Sequence, residues 1–374
     1  MLQKGDKLRI AILGTRGIPA CYGGFETFAE QLSTRLVGRG HSLTVYGRCA
    51  FFEDVPRWGE YRGVTQRIVP TIRHKYLDTP VASLTSFVDL LWRRFDVVLL
   101  CNAANSLFAF SARLRGVPLL INVDGVERKR KKWNMLGKLG YLLGEWCSIL
   151  FADRIVADAE VIRQYYAETY AHPSTVIAYG ADAIRRPAGE TLAKFGLSER
   201  AYLLYVSRLE PENNALGVVQ AYAKSKLKIP LVIVGDAPYA DAYKAQVKAC
   251  AADGVIFTGF QFGEAYQELQ SNCYAYIQAT EVGGTHPALV EAMAYGNCVI
   301  ANSTPEHHEV LRESGLFYER NDFEQLAARL SEICASPIMV DEYRAKALAE
   351  AEARFRWEVI TDQYEKLFYE VIGA

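Results

Sequence analysis

The sequence carries none of the usual signatures of metal or covalent chemistry. It has no D-x-D pair to hold a divalent cation on a diphosphate, no Walker loop, no H-E-x-x-H and no G-x-S-x-G. Its chemistry is therefore expected to need no metal and no cofactor. Net charge is missing too: 42 Lys and Arg face 43 Asp and Glu, for a formal −1. That balance gives no overall pull towards nucleic acid, so none is expected as a partner. No apolar run reaches the roughly 18–20 residues that cross a bilayer. The longest candidate, 141–151, is broken by Gly144, Glu145 and Trp146. No signal-peptide pattern precedes the first strand-like run, LRIAILG. The 8 cysteines are scattered, never in CxxC and mostly within apolar runs. They read as reduced core thiols of a cytoplasmic protein, which excludes a disulfide frame or a zinc site.

What is present is a two-part rhythm. A length of 374 residues suits two or three domains. In the first half, short apolar runs (LRIAIL, SLTVYG, TQRIV, DVVLLC, PLLINV, RIVAD) alternate with helical patterns near 25–37, 80–92, 106–114 and 135–151. The spacing predicts βαβ units and a parallel sheet. The rhythm pauses near 174–188, in STVIAYGAD and RRPAG, and then restarts with YLLYVS, PLVIVG, GVIFTG, CYAYIQA and CVIAN, after which helices are expected to fill the remainder. The fold class is therefore α/β, with two doubly wound, Rossmann-like domains. In such sheets ligands bind beyond the carboxyl ends of the strands, and with two sheets the expected site is a cleft where the domains face each other.

Several stretches place polar groups at those strand ends. In EVGGTHPALVEAMAYG (281–296), Gly283 and Gly284 form a bare loop, and Thr285 and His286 lead into Pro287 at a helix start. Free backbone N–H groups and the positive end of the helix dipole make such a turn an anion site. The plainer alternative is a tight strand-to-helix turn. Glu291 falls on the helix that follows. In YVSRLEPENNALG, Arg208 follows a strand and is suited to grip a phosphate, while Asn213 and Asn214 precede a helix, Asn being a good N-cap. Gly235 and the GFQF loop with Phe260 end two further strands.

In the first half, GTRGIPACYGGFET lacks the G-x-G-x-x-G spacing of a dinucleotide loop, and the second strand has no closing acid. Gly23 and Gly24 suit a loop that meets a phosphate or sugar, with Arg16 pointing into the cleft and Glu26 on the first helical turn. NVDGVERKRKKWN places Asp124, Glu127 and Arg128 at a strand end, and residues 128–132, ending in Lys132, form a basic run beside Trp133. The helix that follows carries Leu139, Tyr141, Leu142, Leu143 and Trp146. It is read either as an interfacial helix on an anionic membrane or as an ordinary core helix.

Three of these motifs together resemble a family 4 retaining glycosyltransferase: Gly23-Gly24-x-Glu26, Ser207-Arg208-Leu209-x-Pro211-Glu212, and Glu291-Ala292-Met293-Ala294-x-Gly296. More narrowly, GTRGIP, YGGFET, DGVERKRKKW, EPENN and VGGTHPALVEAMA are similar to bacterial rhamnosyltransferases of capsule and O-antigen synthesis. The resemblance implies the GT-B fold. It implies an acceptor domain over 1–182, a donor domain over 183–354 and a helix over 355–374 returning to the first domain. It implies dTDP-L-rhamnose as donor and a lipid-diphosphate-linked saccharide as acceptor at the inner face of the cytoplasmic membrane, the protein being cytoplasmic or peripheral there. UDP-glucose, UDP-GlcNAc or GDP-mannose as donor, a sugar-nucleotide 2-epimerase, and a catalytically silent sugar-nucleotide-binding protein are the other readings.

By the same resemblance, Gly23, Gly24, Arg208, Asn213, Asn214, Gly235, Phe260, Gly283 to His286 and Glu291 would bind the donor. Arg16, Glu26, Glu127, Arg128 and Lys132 would bind the acceptor, and Asp124, Arg208 and Glu281 would be catalytic. The sequence departs from the family in two places. Asn213 stands where the family has a lysine, and Gly283 where it has its first glutamate, the nearest acid being Glu281. The family's usual first-domain histidine is also absent, and Asp124 occupies its neighbourhood.

Overall fold

The computed structural model describes residues 5–20, 23–52, 55–74, 77–123, 125, 135–237 and 240–373. They form two compact units, the chain passing from the first to the second between Tyr179 and Gly180 and rejoining the first at Trp357.

The first unit holds β1 (Arg9–Leu13), α1 (Gly24–Gly38), β2 (Ser42–Arg48), β3 (Trp58–Tyr61), β4 (Val64–Val69), α2 (Asp78–Leu90) and β5 (Val97–Cys101). It continues with α3 (Phe110–Leu114), β6 (Leu119–Asn122), α4 (Met135–Phe151), β7 (Arg154–Ala157), α5 (Glu160–Tyr170) and β8 (Thr175–Val176). Its sheet runs β3-β4-β2-β1-β5-β6-β7-β8. All neighbours are parallel except the β3–β4 edge hairpin. Strands β1, β5 and β6 are buried on both faces, as their unbroken apolar runs require.

The second unit holds α6 (Glu190–Lys194), β9 (Leu203–Val206), α7 (Ala215–Ser225), β10 (Leu231–Val234), α8 (Asp241–Ala249), β11 (Val255–Gly259), α9 (Gly263–Asn272) and β12 (Ala275–Gln278). After these come α10 (Pro287–Ala294), β13 (Cys298–Asn302), α11 (Pro305–Leu311), β14 (Leu316–Tyr318), α12 (Phe323–Ala335) and α13 (Pro337–Arg354). Its sheet is wholly parallel, in the order β11-β10-β9-β12-β13-β14. The last helix, α14 (Trp357–Ile372), belongs to the first unit. There Trp357, Ile360, Tyr364 and Phe368 pack with Phe28 and Leu32 of α1, and the Tyr364 hydroxyl accepts from Asn122 Nδ2 at 2.8 Å.

Several expectations need correction. The helix expected over 106–114 is a 3-10 turn, Ala103–Phe108, followed by the five-residue α3. Ser106 and Ser111, which return hydrogen bonds to the backbone or to other side chains, break its regularity. The stretch after β13 is not helical throughout, because β14 adds an edge strand there. Its three residues are too short to show an alternation. The antiparallel β3 was also missed, since exposed Trp58 and Glu60 hide its strand character. Of the described cysteines, Cys101, Cys273 and Cys298 are buried, but Cys250 is exposed.

Candidate functional site

In an open parallel sheet the ligand crevice lies where strand order reverses. In the second unit that point lies between β9 and β12, which pair in parallel, Tyr205 opposite Ile277. The loops leaving their carboxyl ends are 207–214 and 279–286, the two stretches singled out from sequence. They are tied together: the Glu281 N–H donates to the Glu212 carbonyl at 2.9 Å, and Asn214 Nδ2 to the Ala279 carbonyl at 2.9 Å.

Gly235 admits the neighbouring loop. Its φ is +125°, and a Cβ there would lie 2.0 Å from the Ser207 carbonyl oxygen. Only glycine lets β10 end so close to the start of the arginine loop. Arg208 itself stays partly exposed, 3.8 Å from Glu210 across a loose ion pair.

The two asparagines turn inward. Asn213 is buried, and its Nδ2 donates to the Arg208 carbonyl at 2.7 Å, while its own carbonyl accepts from the Tyr205 hydroxyl at 2.6 Å. At the position where the resemblance implies a lysine, Asn213 is a staple that fixes the arginine loop. Asn214 adopts a left-handed conformation, φ +63°, and its side chain caps nothing in α7. It donates instead to Ala279 and to Asn321 Oδ1. Neither amide is presented outward for a donor, contrary to expectation.

The Gly283 loop leads into α10, whose N-cap residue, His286, makes no side-chain capping bond. A Cβ on Gly283 would lie 2.4 Å from the His286 ring, so glycine is what lets that ring fold down. The ring lies 5.1 Å from the ring of His307. His307 is fully buried, and burial lowers its imidazole to about 4. Its Nδ1 donates to the Asn302 carbonyl at 2.8 Å, leaving Nε2 to accept from Gln278. It is a neutral floor beneath the loop.

Glu291 lies one turn into α10. Burial pushes its carboxyl up to about 7, against the lowering effect of a hydrogen bond from Tyr266. The bonds beneath it have one polarity. Asn297 Nδ2 donates to Gln270 Oε1 at 3.0 Å, Gln270 Nε2 donates to the Tyr266 oxygen at 2.9 Å, and the Tyr266 hydroxyl donates to Glu291 Oε2 at 2.6 Å. The Tyr266 oxygen accepts from Gln270 while its proton goes to Glu291, so one carboxylate oxygen is committed and the carboxylate is oriented. Sequence reading missed Tyr266, Gln270 and Asn297. The Tyr266–Gln270 step of four residues marks one face of α9, but nothing in it says which helix that face meets. Next to α9, the Phe260 and Phe262 rings stack 5.8 Å apart and are exposed.

In the first unit, the reversal lies between β1 and β5. Gly14, with φ +89°, would place a Cβ 2.2 Å from the Cys101 carbonyl oxygen. The crevice below, lined by Gly14, Thr15, Arg48 and Asn105, encloses about 10 Å³. That is about the room one water needs. Arg16 lies with its guanidinium 5.0 Å from the Phe51 ring centre. Glu26, expected to meet the acceptor, is buried and accepts from the Arg16 N–H at 2.9 Å. It braces the glycine loop from inside. Gly23 and Gly24 open α1, with Gly23 as its extended N-cap. Asp124, Glu127, Arg128 and Lys132 lie outside the described residues.

Residues 22–185 match the family Glycosyltransferase Family 4, and residues 190–353 match Glycosyl transferases group 1. Among curated proteins, the chain is 26% identical over 214 residues to O-antigen chain mannosyltransferase B of Escherichia coli, covering 55% of this chain and 56% of that one. It is 28% identical over 172 residues to alpha-monoglucosyldiacylglycerol synthase of Streptococcus pneumoniae, covering 44% and 38%. The chain thus spans about half the length of the curated relatives it matches. Among solved structures, sucrose-phosphate synthase of Thermosynechococcus elongatus superposes with a TM-score of 0.82 at 17% identity, over 98% of this chain and 100% of that one. Anabaena HepE in complex with UDP-glucose gives 0.80 at 15%, over 97% and 100%. Each half of the chain thus matches a glycosyltransferase family, residues 22–185 one and residues 190–353 another, and the architecture over nearly the whole length is the GT-B fold.

Proposed function

We propose that the protein transfers a hexose, with retention, from a nucleoside-diphosphate sugar to a lipid-diphosphate-linked saccharide in surface polysaccharide synthesis. The observation that carries this reading is the second unit's reversal point, where the Arg208 loop, the Gly283 loop and the oriented carboxylate of Glu291 converge. Glu291 accepts hydrogen bonds from the nucleoside sugar hydroxyls through the oxygen that Tyr266 leaves uncommitted. Arg208 and the backbone N–H groups of 284–286 stabilise the diphosphate as charge develops on it. The acceptor hydroxyl oxygen forms the new bond to the anomeric carbon as the bond to the phosphate oxygen breaks. That phosphate oxygen takes the hydroxyl proton, so no metal or covalent adduct is required. Asp124 orients a sugar hydroxyl, and Arg16, with the 128–132 run, serves the acceptor.

For the donor, the rhamnosyltransferase-like motifs favour dTDP-L-rhamnose. The relatives named for mannose and glucose, and HepE with UDP-glucose, favour GDP-mannose or UDP-glucose as a second reading. A thermal-shift screen against dTDP, UDP and GDP separates them, since a ligand of the folded state alone raises its melting temperature. The largest shift with dTDP supports rhamnose, and the largest with UDP or GDP supports the second reading. No shift with any of the three refutes the donor site.

A further inference from the structure

The surface helix α4 is built inside out. Its buried positions, among the described side chains, are Gly144, Glu145 and Ser148. A Cβ on Gly144 would lie 2.5 Å from the Ala103 carbonyl oxygen. Ser148 Oγ meets Ser106 Oγ at 2.7 Å, and Glu145 accepts from the hydroxyls of Tyr165 and Tyr170 at 2.8 and 2.5 Å. Outward, meanwhile, point Met135, Leu139, Leu143, Trp146 and Leu150, the last 60% exposed. They recur every three or four residues and make one apolar stripe along a helix of roughly 25 Å. Ile149 and Phe151 pack against the core, but the stripe from Met135 to Leu150 does not, and an ordinary core helix would not leave it outside.

Neighbouring elements extend the stripe. α3 buries Ser111 and Ala112 while Phe110 and Leu114 are exposed, and α2 exposes Leu84 and Val88, with Trp92 just beyond it 83% exposed. The elements touch: the Phe110 and Phe151 rings lie 6.2 Å apart, Arg113 Nε donates to the Phe151 carbonyl at 3.3 Å, and Arg115 to the Arg93 carbonyl at 3.4 Å. The exposed charges on these segments are mainly cationic: Arg93, Arg94, Arg113, Arg115, Lys138 and Arg154. The acids nearby are mostly engaged. Asp89 holds Arg67 and Tyr46, and Asp153 accepts from the Leu119 N–H.

We propose that this α2–α3–α4 face lies on an anionic lipid surface. The leucines and Trp146 enter the headgroup–acyl boundary, and the arginines reach lipid phosphates. A second copy of the same face would bring cations against cations, so charge argues against self-pairing. The inference deepens the reading of a lipid-borne acceptor and relies on it for why a membrane is needed.

The test is sedimentation of the full chain with phosphatidylcholine vesicles, with and without phosphatidylglycerol, in the absence of any sugar substrate. The wild type should bind the anionic vesicles preferentially. Leu143→Glu with Leu150→Glu should weaken partitioning roughly tenfold or more. Arg94→Gln with Arg115→Gln should weaken it on anionic vesicles only, and by roughly tenfold. The melting temperatures of these variants and their nucleotide-induced shifts should match the wild type, which shows that they fold. Unchanged partitioning of the double glutamate variant overturns the proposal, as does a wild type that ignores anionic lipid. Light scattering that finds a dimer split by the same variant assigns the face to a second copy and also overturns it. Transfer to a water-soluble acceptor without vesicle binding refutes the face alone, whereas vesicle binding without transfer to any acceptor refutes the function alone.

Discussion

Replacing Glu291 by Gln should make the protein more stable and less able to bind its donor. Burial raises this carboxyl to about 7 from an ordinary 4.5. A raised folded value means that the proton is retained on folding. The group therefore costs nothing below the unfolded value, and stability is lost as pH rises through 7. The full difference is an upper bound of about 3 kcal/mol at alkaline pH. Because the residue is partly accessible, about 1–2 kcal/mol is the expected cost. Gln keeps an oxygen to accept from Tyr266 and carries no charge. Glu291→Gln should therefore melt a few degrees above the wild type at pH 8–9 and converge with it near pH 5. His307, lowered to about 4, destabilises both proteins equally in acid and cancels in the difference.

Nucleotide binding should move the other way, weakening by about tenfold to a hundredfold with the loss of charge-assisted hydrogen bonds. In the wild type, if only the ionised carboxylate binds, affinity at pH 5.5 should be about thirtyfold below its alkaline plateau. Calorimetric melting and nucleotide titration across pH 5–9 read both effects. A melting difference that does not change with pH, or a variant less stable at pH 8, refutes the desolvated carboxylate. An unchanged nucleotide affinity refutes its role at the nucleoside sugar.

Other substitutions have definite outcomes. Tyr266→Phe removes the bond that lowers the Glu291 carboxyl, so the acid limb of nucleotide binding should shift to higher pH; an unmoved limb would show that Tyr266 only packs. Arg208→Ala should cut kcat/KM at least about tenfold, roughly 1.4 kcal/mol of lost transition-state binding, and steady-state kinetics that do not change remove Arg208 from the diphosphate. Gly235→Ala should destabilise the second unit by about 2–3 kcal/mol, since its φ of +125° and its approach to Ser207 leave no room for a Cβ; denaturant unfolding checks this. Asn213→Ala should free the Arg208 carbonyl and lower kcat/KM more than it lowers stability, which kinetics and melting measured on one preparation would separate.

The alternation of apolar runs and amphipathic helices determined two parallel sheets from sequence alone, because a strand buried on both faces must be apolar throughout. Glycine pairs and the Arg208 and Glu291 stretches marked the strand ends, since close approach and helix entry demand those residue types locally. What needed tertiary structure was every relation between elements distant in sequence. Asn213 and Glu26 carry side chains suited to a ligand, yet folding turns both inward onto backbone groups, a choice set by neighbours the local sequence does not show. Tyr266, Gln270 and Asn297 became part of the site only because α9 lies against α10. The apolar residues of α4 predicted a helix correctly but left its burial open. Periodicity places Leu139, Leu143, Trp146 and Leu150 on one face, and only packing against Ala103, Ser106 and Tyr165 decides that this face looks outward.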